Sequence, residues 1–482
     1  MSCETSQCRS MRLRVLADSD IERVLDASLR LLEETGADFH HEPALEMLRK
    51  AGAKADGIRV RFPRAMVERA MTQAPSKVTL HNSRTGKGDV ELEGTKIYFG
   101  TGSDCPNFVD PWTGQRNRTT KKNVADAAKA LDGLKNLDFC MSLGLVQDVP
   151  TLSSDRHQYE AMLLNTGKPV VVTAHDLEGY NDIISMAEAV VGGPQALAER
   201  PILAMYTEPI SPLRHPLEAV DKLIRSAEAG IPVVYTPAPM AGATAPATLA
   251  GTLASGLAES LSGLVLHQLV REGAPFILGG VFTVMDMRTT LFSYGAVEFD
   301  LLQAALADVA QYTKIPLFCT AGCSDSPAFD EQATVEATFS ILVNALSGGN
   351  LIHDVGYIEY GSTGSVEMMV LSNEVIAMAK RFIRGIEVND DTLAVNVTQS
   401  VGPGGHFLEE EHTTRFFRKE LTFSDLITRQ RYDAWKAGGG KTLGQRVHER
   451  AAEVLEGHRV EPLPAGTLKH IRAIVDAADA RA

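Results

Sequence analysis

The sequence predicts an α/β fold: a (β/α)8 TIM barrel carrying an N-terminal α+β extension and a C-terminal helical appendage. Three observations lead there. From Lys96 onward short apolar segments alternate with helix-length stretches, the signature of a parallel sheet wound with helices. Eight such segments can be counted, the number that closes a barrel, and several are near-continuous apolar runs, as strands covered on both faces require. The first segment, FGTGSD, runs into CPNFVDPWTG rather than into a helix, so it lacks the glycine fingerprint of an open dinucleotide-binding sheet.

Taken in order, residues 1–95 form the mixed cover. Asp18 or Ser19 caps a helix with an apolar face of Ile21, Val24, Leu25, Leu31 and Leu32, which Gly36 ends. A second helix carries Leu45, Met47 and Leu48. IRVRFP alternates as a strand, Pro63 to Gln73 returns to helix, and KVTLHN and DVELEG are strand-like. The barrel spans residues 96–390, with strands expected at 96–102, 137–145, 168–175, 201–209, 231–239, 274–282, 315–323 and 350–356. Between them, Val124, Ala127, Ala128 and Leu131 share one helical face, and Leu249, Leu253, Leu257, Leu261 and Leu264 share another. Met368, Leu371, Val375, Met378 and Phe382 mark the helix after the last strand, stopped near Gly385. Residues 391–482 form the appendage: a loop in VGPGGHFLEEEHTTRFFRKE that turns helical, a GGGK turn at 438–441, and two closing helices.

Composition narrows the function. The 482 residues carry a net charge of −14 with both signs interspersed, so no basic stripe suits nucleic acid. No uninterrupted apolar run reaches the roughly 18 to 20 residues of a membrane span, and the start lacks a signal-peptide core. A cytoplasmic protein without membrane contact is expected. Six cysteines are too sparse for a disulfide framework. One spacing leaves a metal reading open, since Cys319, Cys323 and His353 could hold zinc through two sulfurs and an imidazole.

A barrel of this kind works at the carboxyl ends of its strands, which makes those ends a list of wall residues. They supply Phe99, Asp104, His175, Tyr206, Glu208, Cys323, His353 and Tyr357, the last pair from NLIHDVGYIEYG. Each has a plainer alternative: the histidines as structural imidazoles, Glu208 as an ion pair with Arg214, the rings as core. Nucleophile elbow, Walker loop, HExxH and flavin signatures do not stand out. Such a mouth of rings and carboxylates suits a small cation or zwitterion, with the reaction left open.

In their order, FGTGSD, SPLRHP, PAPMAGATAPATLAGTLA, AGCSDSPAFDEQA, NLIHDVGYIEYG and VGPGGHFLEEEHTTRFFRKE resemble the trimethylamine methyltransferase family of corrinoid-dependent enzymes, from about Ile21 to Ala477. The resemblance implies transfer of a methyl group from a methylated amine to the Co(I) cobalamin (corrinoid) of a separate corrinoid protein, with no cofactor held tightly by this chain. It places Gly322 where the trimethylamine enzymes carry pyrrolysine, with Cys323 as the neighbour if the alignment shifts by one. That departure is similar to the non-pyrrolysine branch, which acts on quaternary amines such as glycine betaine. It implies roles for Gly322, Cys323 and His353 in catalysis, and for Phe99, Asp104, Tyr206, Glu208, His353 and Tyr357 around the substrate. Backbone freedom in GPGGHF and the charges and rings of EEEHTTRFFRKE make Gly402 to Arg418, with His406, Phe407, Glu409 and Glu410, the expected rim where the corrinoid protein docks, and a homo-oligomer is expected.

Overall fold

The computed structural model describes residues 11–482, so Cys3 and Cys8 lie outside the described residues. Seven parallel strands form one sheet: β1 (Tyr98–Thr101), β2 (Val170–Val172), β3 (Leu203–Thr207), β4 (Val233–Tyr235), β5 (Phe276–Gly279), β6 (Leu317–Thr320) and β7 (Leu351–Val355). They lie in the order β1-β7-β6-β5-β4-β3-β2. The eighth expected strand, 137–145, is not a regular strand. It sits between the two sheet edges through single bridges, Phe139 to Gly100 and Cys140 to Val170. The reason is visible in Thr101, whose hydroxyl accepts from Met141 N at 2.9 Å and donates to Met141 O at 2.8 Å, where a ladder would use backbone groups. The architecture is a TIM-like barrel.

Eight helices follow the strands and the bridging segment: α1 (Lys121–Gly133), α2 (Ser154–Asn165), α3 (Leu177–Val191), α4 (Leu217–Ala229), α5 (Leu249–Val270), α6 (Val297–Thr313), α7 (Glu331–Ser347) and α8 (Val366–Ile383). Strand side chains alternate between two cores. Phe139, Met141, Val171, Ala204, Val234, Ile277, Phe318 and Leu351 fill the interior, joined from below by Val78, Leu80, Val90 and Leu92 of the N-terminal hairpin. Their neighbours in sequence, such as Phe99, Cys140, Leu203, Val233 and Cys319, pack outward on the helices. The hairpin thus plugs the amino end of the barrel and leaves the carboxyl end as the open mouth. One helix among the described residues, α5, is long and apolar enough to cross a membrane by length and composition alone, and 83% of its most apolar 18-residue window is buried inside the molecule.

The appendage returns along the barrel wall. Residues 443–457 pack on α1 and α8, and residues 465–479 pack on α2 and α3. The stretch between is different: the short helices from Asp390 to Ala437 bury none of their own residues. Its 411–420 helix is tied to the far end of α8, where Arg381 donates to Glu420 O at 2.8 Å. That end of α8 is at the amino side of the sheet, since Lys380 Nζ lies 3.4 Å from Asp138 at the start of the bridging segment. The end of the 411–420 helix therefore meets the barrel at its amino side, away from the mouth where Gly402–Arg418, with His406, Phe407, Glu409 and Glu410, are expected to form a docking rim. Glycine-rich freedom marked a loop, but contacts from α8, distant in sequence, decided which end it serves.

Two buried carboxyls store a pH dependence. Burial, with help from nearby Glu336, pushes Asp300 up to about 8. Burial also pushes Glu259 up to about 7, against the Ser211 hydroxyl that donates to it at 2.7 Å. Both folded values lie above the ordinary range near 4, so the folded state holds these protons more tightly than the unfolded chain. Their stabilising share is complete below about pH 4 and is lost as pH rises through about 7 to 8. Glu259→Gln is expected to stabilise the protein by roughly 2 to 3 kcal/mol at pH 8 and by almost nothing at pH 4. Denaturant titrations at both pH values check this, and an equal effect at both would refute it.

Candidate active site at the barrel mouth

The period of two decides which strand residues reach the mouth. On β3, Ala204, Tyr206 and Glu208 point inward in turn, and on β6 and β7 the inward residues are Phe318, Thr320, Leu351 and His353. Phe99 falls on the other parity. It is wholly buried in the helix-facing core, so the reading of Phe99 as a substrate contact is corrected. The same parity separates the zinc candidates. Thr320 pairs with His353 while Cys319 pairs with Ile352, which puts the Cys319 sulfur and the His353 ring on opposite faces of the sheet. Among the described residues no group of three or more His, Cys, Asp or Glu could hold a metal ion.

Three carboxylates converge. Asp104 and Glu208 are open to water, yet protein encloses them enough to push both carboxyls up. Such a combination describes the wall of a deep, wet mouth. Tyr206 donates to Glu208 at 2.9 Å, and Gln158 and Thr173 approach Asp104 at 3.4 Å. Glu208 is not paired with Arg214, whose Nε instead donates to His40 at 3.2 Å. The third carboxylate, Asp354, is reached by a break in strand regularity. The β7 ladder shifts register between Ile352 and Val355, and Asp354 has φ of +74°. Alternation alone would send it outward, but the bulge turns it to Gly102, where an added Cβ would lie 2.1 Å from Asp354 Oδ1. Asp104 also sits in the left-handed region, at +64°. Each such residue costs roughly 1 to 3 kcal/mol, strain that collects at functional sites.

Rings complete the wall. Tyr357 donates to Ser103 O beside Gly102, and Tyr294 meets Tyr357 edge-on at 6.0 Å. Tyr206 packs on Phe318 at 5.8 Å. The Asp354 charge acts on Tyr206, Tyr294 and Tyr357, whose hydroxyls burial and that charge push well up. Sequence reading missed Tyr294 because it lies in a hairpin, Thr283–Met285 with Phe292–Ser293, inserted after β5. The available signal was the FSY triplet following two strand-like residues.

His353 departs from expectation. Its ring stacks on Phe318 at 4.0 Å, Nε2 lies 2.9 Å from the Thr320 hydroxyl, and Nδ1 lies 2.6 Å from Asp354 Oδ1, close enough for an ion pair but out of hydrogen-bond alignment. Nε2 is taken by the Thr320 hydroxyl, while Nδ1 lies against Asp354 without a hydrogen-bond partner. Asp354 Oδ2 is buried without a hydrogen-bond partner. Gly322 is no emptied side-chain slot, since its φ is +78° and a Cβ there would meet Val355 Cγ2 at 2.9 Å. Cys323 is fully buried, and burial with Asp354, Asp300 and Asp325 pushes its thiol well up, so it is not a ready nucleophile. His175 is exposed beside the mouth, its Nε2 2.8 Å from Ser154 Oγ.

Comparison with known proteins agrees with this architecture. Residues 3–481 match the family described as trimethylamine methyltransferase (MTTB). A trimethylamine methyltransferase MttB of Desulfitobacterium hafniense (strain DSM 10664 / DCB-2) is 34% identical over 95% of this chain and 93% of its own length. A glycine betaine methyltransferase of D. hafniense (strain Y51) is 31% identical over 93% of each. The crystal structure of the Methanosarcina barkeri monomethylamine methyltransferase MtmB superposes with a TM-score of 0.50 at 14% identity, covering 94% of this chain and 97% of that one, a likeness of fold.

Proposed function

The chain belongs to the trimethylamine methyltransferase family, and from that premise we propose that this methyltransferase takes a methyl group from a quaternary amine, passing it to the Co(I) corrinoid of a separate corrinoid protein. One observation carries the reading: Asp104, Glu208 and Asp354 share a single mouth with the phenols of Tyr206, Tyr294 and Tyr357. Ring faces attract a quaternary ammonium by roughly 0.5 to 2 kcal/mol each, and the carboxylates add long-range attraction. Relatives named for trimethylamine and for glycine betaine fit a site built for methylated nitrogen. The resemblance that sets Gly322 where the trimethylamine enzymes carry pyrrolysine supports the quaternary substrate, which leaves as a neutral amine and needs no general acid. We also read residues 137–145 as the eighth strand of a (β/α)8 barrel, held by its two bridges.

The corrinoid supplies the nucleophile when its carrier docks. This chain's residues then bind, aim and desolvate the cation. The charge on nitrogen fades as the methyl leaves, so full carboxylate charge beside it would favour bound substrate over the transition state. The upward push on Asp104 and Glu208 limits that penalty, because a docked partner that excludes water would raise both further. Asp104 and Glu208, open to water, leave the mouth accessible from outside. The test is methyl transfer to Co(I) cobalamin, with quaternary amines as donors. Demethylation should appear without added metal or nucleotide, and transfer from trimethylamine but from no quaternary amine would sink the proposal.

A further inference from the structure

We propose that the substrate of this mouth is a quaternary ammonium compound that carries no carboxylate. The inference rests on the methylated-amine reading above and deepens it. A betaine has two ends, and its anionic end needs basic groups that outnumber the anions around them. The basic groups acting on the three carboxylates are His175 beside Asp104, Lys222 beside Glu208 and His353 beside Asp354. Each is engaged. His175 Nε2 lies 2.8 Å from Ser154 Oγ, Lys222 Nζ donates to Ala174 O at 2.7 Å, and His353 lies between Thr320 and Asp354.

The surroundings add negative charge. Asp325 follows β6, where its carboxylate accepts from Tyr294 N at 2.8 Å, and Glu336 accepts from Asp325 N at 2.9 Å. Arg116, a base from the neighbouring hairpin, is held by Glu359 at 2.7 Å. A ligand carboxylate in this mouth would meet the exposed Asp104 and Glu208, with the buried charge of Asp354 acting on the same site, so like charges are opposed on several sides. A cation with a neutral tail, such as an alcohol, meets none of that repulsion. Tyr206, Thr173 and Gln158 could serve a hydroxyl. Selectivity here comes from rejecting the anionic end as much as from holding the cation.

Thermal shift decides the matter, using the full chain with choline and tetramethylammonium against glycine betaine and carnitine over matched concentration series. The carboxylate-free cations should stabilise the wild-type protein at concentrations about tenfold or more below those the betaines need. Glu208→Gln, checked for wild-type folding by circular dichroism, should narrow that ratio by helping the betaines. Equal or tighter binding of a betaine by the wild-type protein overturns this inference and leaves the amine reading standing. Absence of binding by all four compounds overturns both. Since the decisive comparison uses unaltered protein, a variant that fails to fold does not rescue the idea.

Discussion

Gly102→Ala is expected to lower methyl transfer by about 100-fold or more and to destabilise the protein by roughly 1 to 3 kcal/mol. An added Cβ would lie 2.1 Å from Asp354 Oδ1, 2.3 Å from Tyr357 Cζ and 2.4 Å from the Tyr357 hydroxyl. No rotamer change on one side can clear both. Asp354 is held by the β7 bulge and by His353, and Tyr357 by its bond to Ser103 O. The methyl group must therefore displace the wall of the mouth or the backbone of β1. Initial rates with saturating corrinoid, together with a denaturant titration, read both effects. Near-wild-type transfer with ordinary stability would show that Asp354 and Tyr357 have no part in the chemistry.

Asp354→Asn should raise KM for the amine by about 10- to 100-fold, the range of a lost charged contact of roughly 1.5 to 3 kcal/mol, while kcat holds or rises. Asparagine tolerates the left-handed backbone at this position, so the bulge should stand. The kinetic split follows from charge: attraction between carboxylate and cation is strongest in the bound substrate and weakens as nitrogen becomes neutral. Steady-state kinetics over amine concentration gives the answer. A fall in kcat at unchanged KM would assign Asp354 to positioning Tyr357 alone.

Much of the site was legible in strand-end chemistry. Tyr206 and Glu208 follow from alternation along LAMYTE once Ala204 is known to face inward, and Asp104 follows from its place just past β1. Phe99 failed for a one-residue reason. In a strand apolar on both faces, composition does not reveal parity, and a slip of one exchanges mouth for helix packing. The zinc alternative fails by the same rule, since Cys319 and His353 occupy opposite parities on paired strands. Asp354 reverses the lesson: parity sends it outward, and only the bulge brings it to the mouth.

The sequence by itself determined the barrel architecture, the helix faces, the acidic aromatic character of one end and the family, because apolar periodicity and motif order are local properties of the chain. Tertiary structure alone decided that His353 turns both nitrogens to Thr320 and Asp354, that Tyr294 enters from a hairpin, and that the 411–420 helix lies at the amino end of the barrel. These depend on partners tens of residues away and on backbone angles at single positions. Neither leaves a periodic trace in the sequence, because a bulge shifts one residue and a long-range hydrogen bond constrains only the two groups that make it.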